Sequence, residues 1–293
     1  MSTAATHWAW PALAASLPWT EGFALLARVA ARDAVRFDTE SAAYAAARRF
    51  AGTRLPEARG TDVDEIGWRR AWRLVQLVDH ADLFLTRTRS DRWLERHVDV
   101  RGAWPAAGPF LAVTCHWGAG LWALRHLGRA GHRARFLARR PSPAEFGGDG
   151  VRRRYMRMRI GATERATRAP VIYTGGATAK IGEALDARTS IVALCDVPLP
   201  AGRSKIEAPF RGGRLTMPRG LIALACARRI PVVTFSAALD RTTGRRQLDI
   251  APAAVYQDPP AMAAALARSL ETLLDRDSAA WHMWPYAAEL LRA

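Results

Sequence analysis

The chain has 293 residues, 49% of them hydrophobic, and a formal net charge of +16. That much apolar material excludes a globally disordered chain and suffices for one large domain. Only two of the 43 basic residues are lysines, Lys180 and Lys205. Alanine is abundant too, so part of the positive charge is compositional, and no specific nucleic-acid binding is expected.

Residues 1–96 read as an N-terminal helical layer. Phe23, Leu26, Ala27 and Ala30 recur at helical spacing, as do Trp68, Trp72, Val75 and Val78. Trp8, Trp10 and Trp19 stand among Ala, Leu and Pro, a placement that suits either a membrane interface or a helical cap packed on the domain. The stretch 52–61, GTRLPEARGT, breaks two helices. Ser90 or Asp91 can cap a short turn that leads into a strand.

From about residue 97 the rhythm changes. HVDVRG, FLAVTC, RARFLA, PVIYT, SIVALCD and IPVVTFSAAL are short β-rich runs. Helical stretches at 119–130, 149–160, 176–188 and 217–228 separate most of them. Such alternation predicts a single α/β sandwich with a mostly parallel central sheet, residues 97–293 forming the core beneath the helical layer. RRQLDIAP reads as a late antiparallel strand, and the chain closes with helices at 259–275 and 278–292. No apolar run is long enough to cross a bilayer, and the N-terminus lacks the order of a signal peptide, so a cytoplasmic protein is expected. Cys115, Cys195 and Cys226 are odd in number and lie in apolar runs, which suits reduced, buried thiols. No Cys/His cluster has zinc-ligand spacing, and no metal or cofactor is expected.

Three places carry candidate chemistry. His116 follows FLAVTC and opens a helix behind Gly118, Ala119 and Gly120. Ligands of open α/β sheets bind at the carboxyl ends of strands, so His116 is either a catalytic base or a buried corner histidine. Asp196 ends SIVALCD much as His116 nearly ends its own strand, and two such groups can converge on one cleft; the alternative is a loop cap or a partner for an arginine. Arg139 and Arg140 follow a third strand, where arginines hold phosphate or carboxylate or are plain surface charge. Pro218 is expected in the first turn of a helix. There is no Walker loop and no serine nucleophile elbow.

These segments, in this order, resemble the bacterial lipid A late (lauroyl/myristoyl) acyltransferases, a branch of the lysophospholipid acyltransferase superfamily. The resemblance covers about 97–292. It rests on HVDVRGAWPAAGPFLAVTCHWGAGLWA, RFLARRP, IVALCDVP with APFRGG, RRIPVVTFSA and SAAWHMWPYAAELLR. It implies an acyltransferase that moves an acyl chain from acyl-carrier protein or coenzyme A to a hydroxyl or amine of a lipid or of a specialised product such as an aryl polyene. His116 would be the general base, and Arg139, Arg140 and Arg211 would bind substrate. Peripheral contact with the inner face of the inner membrane would follow.

One departure matters. The resembled motif has an Asp or Glu five residues after the histidine, and here that residue is Leu121. The acid then comes from elsewhere, with Asp196 best placed, or the chain is a non-catalytic acyl- or carrier-protein-binding protein on the same fold.

Overall fold

A computed structural model describes residues 8–36, 41–56, 63–141, 146–200 and 202–292. Five helices come first: α1 (Trp10–Ser16), α2 (Trp19–Arg36), α3 (Ser41–Phe50), α4 (Glu65–Thr88) and α5 (Asp91–His97). In α2 and α4 the apolar residues fall on one face: Phe23, Leu26 and Ala30, then Trp68, Trp72, Val75 and Val78, are all buried. Asp64 caps α4 by accepting from Gly67 N at 2.7 Å, and Ser90 caps α5 by accepting from Trp93 N at 3.3 Å. Of the expected break at 52–61, residues 57–61 lie outside the described residues.

The core follows without a gap. Its elements are β1 (Val98–Arg101), β2 (Leu111–Thr114), α6 (Leu121–Arg129), β3 (Ala134–Ala138), α7 (Gly150–Thr167), β4 (Ile172–Tyr173), α8 (Thr178–Asp186) and β5 (Ser190–Leu194). Then come β6 (Lys205–Phe210), β7 (Gly213–Pro218), α9 (Arg219–Ala227), β8 (Val232–Leu239), β9 (Arg246–Ile250), α10 (Pro259–Arg276), α11 (Ala287–Leu290) and β10 (Leu291–Arg292). The main sheet has seven strands in the order β1-β9-β8-β2-β5-β3-β4. From β8 to β4 every pairing is parallel, and β9 runs antiparallel to β8. The protein is therefore a mixed α/β sandwich with a mostly parallel sheet. Leu111, Ala112 and Val113 of β2 and Ile191, Val192 and Ala193 of β5 are all buried. Central parallel strands are covered on both faces, which is why these runs are continuously apolar rather than alternating.

Two readings of the sequence need correction. The expected helix from 217 starts instead at Arg219, and β6 and β7 form an antiparallel hairpin that lies outside every expected β-rich run. Pro218 takes φ −63° and ψ 119° and stands at the N-cap, outside the helix. The second correction is the expected helix at 278–292. The segment is a strap: 3-10 turns at Ser278–Ala280 and Trp284–Tyr286, the short α11, and β10 paired with β7. Pro285 lacks the N–H a long helix would need. Indoles hold the strap against the helical layer: Trp68 Nε1 donates to Ser278 Oγ at 2.9 Å and Trp72 Nε1 to the Trp281 carbonyl at 3.1 Å.

The N-terminal tryptophans face inward. Trp19 is buried, donates from Nε1 to Gly244 O at 2.8 Å, and lies under the Arg246 guanidinium at 4.3 Å. Arg246 pairs with Asp82, both side chains fully buried. Trp8 packs edge-on to Phe84 with centroids 5.7 Å apart. Of the two readings for these residues, the cap describes their packing. Among the described residues, no helix is long and apolar enough to cross a membrane.

Candidate functional site

The site grows out of strand register. Thr114 of β2 is level with Leu194 of β5 in a parallel pair. Two residues further along each chain stand His116 and Asp196, so the pairing carries them to neighbouring strand ends. Cys115 and Cys195 occupy the intermediate level, with Sγ atoms 3.3 Å apart.

Asp196 is wholly buried, and both its oxygens are hydrogen-bonded. The His116 backbone N–H donates to Oδ1 at 3.0 Å and to Oδ2 at 2.8 Å. The indole of Trp281 donates to Oδ2 at 2.6 Å. His116 Nδ1 lies 3.0 Å from Oδ1. A carboxylate is acceptor-only, so Nδ1 carries the proton and Nε2 presents its lone pair. The His116 side chain is 33% exposed, so the ring is open to a substrate while its orienting acid is sealed off.

The turn that carries His116 is fixed from both sides. Gly118 has φ +72°, and a Cβ there would lie 1.9 Å from the Ala237 carbonyl. Only glycine meets both the left-handed backbone and the close approach. Gly118 N donates to Ala280 O at 2.8 Å and Ala119 N to Ala237 O at 2.9 Å. From the strap, His282 N donates to the His116 carbonyl at 2.8 Å. His282 Nε2 meets the Gly118 carbonyl at 2.7 Å, so that nitrogen bears the proton. Burial pushes the His282 imidazole below the usual histidine range and keeps it neutral. The amides of Trp117, Gly118 and Ala119 are thus occupied within the protein, as Trp117 N bonds to Cys115 O at 2.7 Å.

Leu121 is the first residue of α6 and is 3% exposed. It packs in the core, and Asp196 holds the imidazole where the resembled motif would place an acid at 121. The sequence reading missed Trp281 and His282. Their signal was a cluster of indoles and an imidazole around a proline, a composition ill-suited to a regular helix.

Arg139 and Arg140 are exposed and follow β3, which pairs with β5, so they start from the same sheet edge as Asp196. Arg140 stacks over the Tyr173 ring at 4.2 Å. Residues 142–145 of the same segment lie outside the described residues. Arg211 does not join them. It forms the β6–β7 turn with φ +47°, and its guanidinium donates to Ala51 O at 2.9 Å and to Asp275 at 2.6 Å, while its N–H donates to Glu271 at 2.6 Å. It clamps the hairpin to α10, which corrects its expected role in substrate binding.

A second polar group joins α4 to α7. Asp79 accepts from Arg159 at 2.8 Å and 3.0 Å, and Arg159 also donates to the Tyr155 hydroxyl at 3.1 Å. Burial alone would raise the Asp79 carboxyl, but the Arg159 charge prevails and holds it below its usual range. Sγ of Cys115 and Cys195 and a carboxylate oxygen of Asp196 lie within 4.8 Å of one another. The contact with Cys195, with burial, keeps the Cys115 thiol well above its ordinary pKa, and the carboxylate already serves several donors, so this trio reads as packing beneath the His–Asp pair rather than as a cation site.

Comparison with models of protein families and with characterised proteins finds no match for this chain.

Proposed function

We propose that the protein is an acyltransferase with His116 as general base. The observation that carries this reading is the contact between His116 Nδ1 and a fully buried Asp196 carboxylate at 3.0 Å, with a third of the His116 side chain still exposed. Nε2 takes the proton from a hydroxyl or amine of the acceptor as its oxygen or nitrogen attacks the thioester carbonyl. The tetrahedral intermediate collapses with cleavage of the C–S bond, and the imidazolium returns the proton to the departing thiolate. Asp196 orients the ring and stabilises the imidazolium between these steps. The donor is an acyl thioester of acyl-carrier protein or coenzyme A, with Arg139 and Arg140 placed to meet its phosphate. The resemblance noted in the sequence favours thioester chemistry over other uses of a His–Asp pair.

Space for the chain is narrow. An apolar gap of about 30 Å³ lies between the sheet and helices α9 and α10, lined by Val113, Ala193, Cys195, Ile222 and Met262 among others. It holds little more than one water-sized body, so an acyl chain enters only as these side chains move. A larger groove, about 340 Å³, lies along β1 by Val98, Val100 and His126 and has no lining residue in common with the His–Asp pair.

The second reading, a non-catalytic acyl- or carrier-binding protein, draws on Leu121. Thiol release from lauroyl-coenzyme A and lauroyl-carrier protein, with a panel of hydroxyl and amine acceptors, separates the two. Turnover that falls roughly 10²–10⁴-fold in His116→Ala supports the base assignment. Binding of the acyl carrier without turnover in the unmodified protein favours the second reading.

A further inference from the structure

Arginine is common throughout this chain, but its distribution is uneven. Helix α10 carries two arginines against two acids, and α4 four against three. Helix α7 carries six arginines against a single glutamate. That glutamate, Glu164, turns to the backbone and accepts from Val171 N at 3.0 Å. Compositional bias alone would spread arginine evenly, so α7 needs its own account.

The placement is also electrostatically unfavourable for the isolated helix. Arg152, Arg153 and Arg154 occupy the N-terminal turns, where the macrodipole is positive and acidic residues are preferred. Arg153 and Arg157 are like charges one turn apart. Arg153, Arg157 and Arg165 are exposed and have no acidic partner among the described residues. At 3.6 residues per turn, Arg153, Arg154, Arg157 and Arg165 fall within about a third of the helix circumference, over a length of about 18 Å. The face carries no exposed apolar side chain: Met156, Met158 and Ile160 are half-buried. Helix α7 also starts from the sheet edge that bears His116 and Asp196, because it follows the carboxyl end of β3.

We infer that the outer face of α7 docks an acidic helix of a partner protein. Arg153 and Arg157 stand one turn apart and Arg165 about two turns further on, a row of cations that complements carboxylates at matching spacing on a second helix laid alongside it. A bilayer surface would gain from apolar residues beside the cations, and this face offers none. In naming the cargo the inference rests on the reading above: a partner seated here would bring an acyl thioester to the edge where His116 lies.

The test measures binding and turnover separately. Fluorescently labelled lauroyl-acyl-carrier protein, an acidic protein, is titrated with the full chain, with the triple variant Arg153→Glu/Arg157→Glu/Arg165→Glu, and with a control variant of equal charge change, Arg70→Glu/Arg92→Glu/Arg268→Glu. The expected result is at least tenfold weaker binding and a shallower salt dependence for the α7 variant only. Turnover of a small thioester such as lauroyl-pantetheine should stay unchanged in it. Equal weakening in both variants would reduce the effect to net charge and overturn the inference. So would a carrier that does not bind while phosphatidylglycerol vesicles or duplex DNA bind through these arginines. If the carrier binds through α7 but the unmodified protein turns over no thioester, the acyltransferase reading fails and the docking face stands.

Discussion

Asp196 holds His116 at two atoms, the backbone N–H and the ring Nδ1, although the two residues are 80 positions apart in the chain. One bond fixes where the residue starts and the other fixes where its ring points. Trp281, from the C-terminal strap, holds the same carboxylate from the far side. The imidazole is therefore oriented by two remote chain segments, the end of β5 and the strap, and not by the helix that follows it.

Asp196→Asn tests that arrangement. The amide can keep the volume but presents a donor as well as an acceptor, so the tautomer with Nε2 free is no longer enforced. Thioester turnover is expected to fall roughly 10²–10⁴-fold while the fold persists. Circular dichroism and steady-state kinetics check both halves. Wild-type turnover in this variant would remove Asp196 from the mechanism.

Gly118→Ala should disturb the site from beneath. The new Cβ meets the Ala237 carbonyl, and the backbone must also stay at φ +72°. Strain of this kind costs about 1–3 kcal/mol. Urea unfolding should show that loss, and turnover should fall with it because the His116 turn shifts.

Stability should decline on acidification from pH 7 toward pH 5. Burial lowers the folded-state pKa of His97, His126, His132 and His282 below the unfolded value near 6.5. The unfolded chain then binds more protons below that pH, so stability present above 6.5 is lost as pH falls. His126 makes the reason concrete, since its Nδ1 accepts from Trp104 Nε1 at 3.0 Å and protonation abolishes the acceptor. Asp82 acts in the opposite sense: burial raises it to about 6, so its protonation relieves the folded state between pH 6 and 4. Four histidines against one carboxyl set the expected direction. Urea midpoints at pH 7.5, 6.5 and 5.5 should fall in that order, and His126→Gln should flatten the trend.

Residues 8–20 should prove part of the body rather than a detachable anchor. Trp19→Ala removes the ring that covers the buried Arg246–Asp82 pair, and such large-to-small changes in a core cost about 3–5 kcal/mol. A thermal melt on the variant, and on a chain truncated at residue 20, should show pronounced destabilisation. A truncated chain with an unchanged melt would return these indoles to the surface.

Local pattern alone determined much of this protein. The 3.6-residue spacing of Trp68, Trp72 and Val75 marked α4, and the short β-rich runs marked the seven strands of the main sheet, including the antiparallel β9. The strand-end rule brought His116 and Asp196 forward as a pair, because each follows an apolar run that can only be a buried strand. Tertiary structure decided the rest, because those choices depend on partners remote in sequence. Hairpin β6–β7 owes its place to α10 and β10, and Arg211 is drawn into that seam by Asp275, Glu271 and Ala51. A helix is expected at 278–292, yet the strap's indoles donate to Asp196 and to the Ser278 carbonyl, and its Trp281 carbonyl accepts from Trp72 of α4, which outweighs regular helix formation. Register is the clearest case: that Thr114 lies level with Leu194 is a fact about two strands with α6, β3, α7, β4 and α8 between them in the chain, and only that alignment sets the Asp196 carboxylate 3.0 Å from the His116 ring.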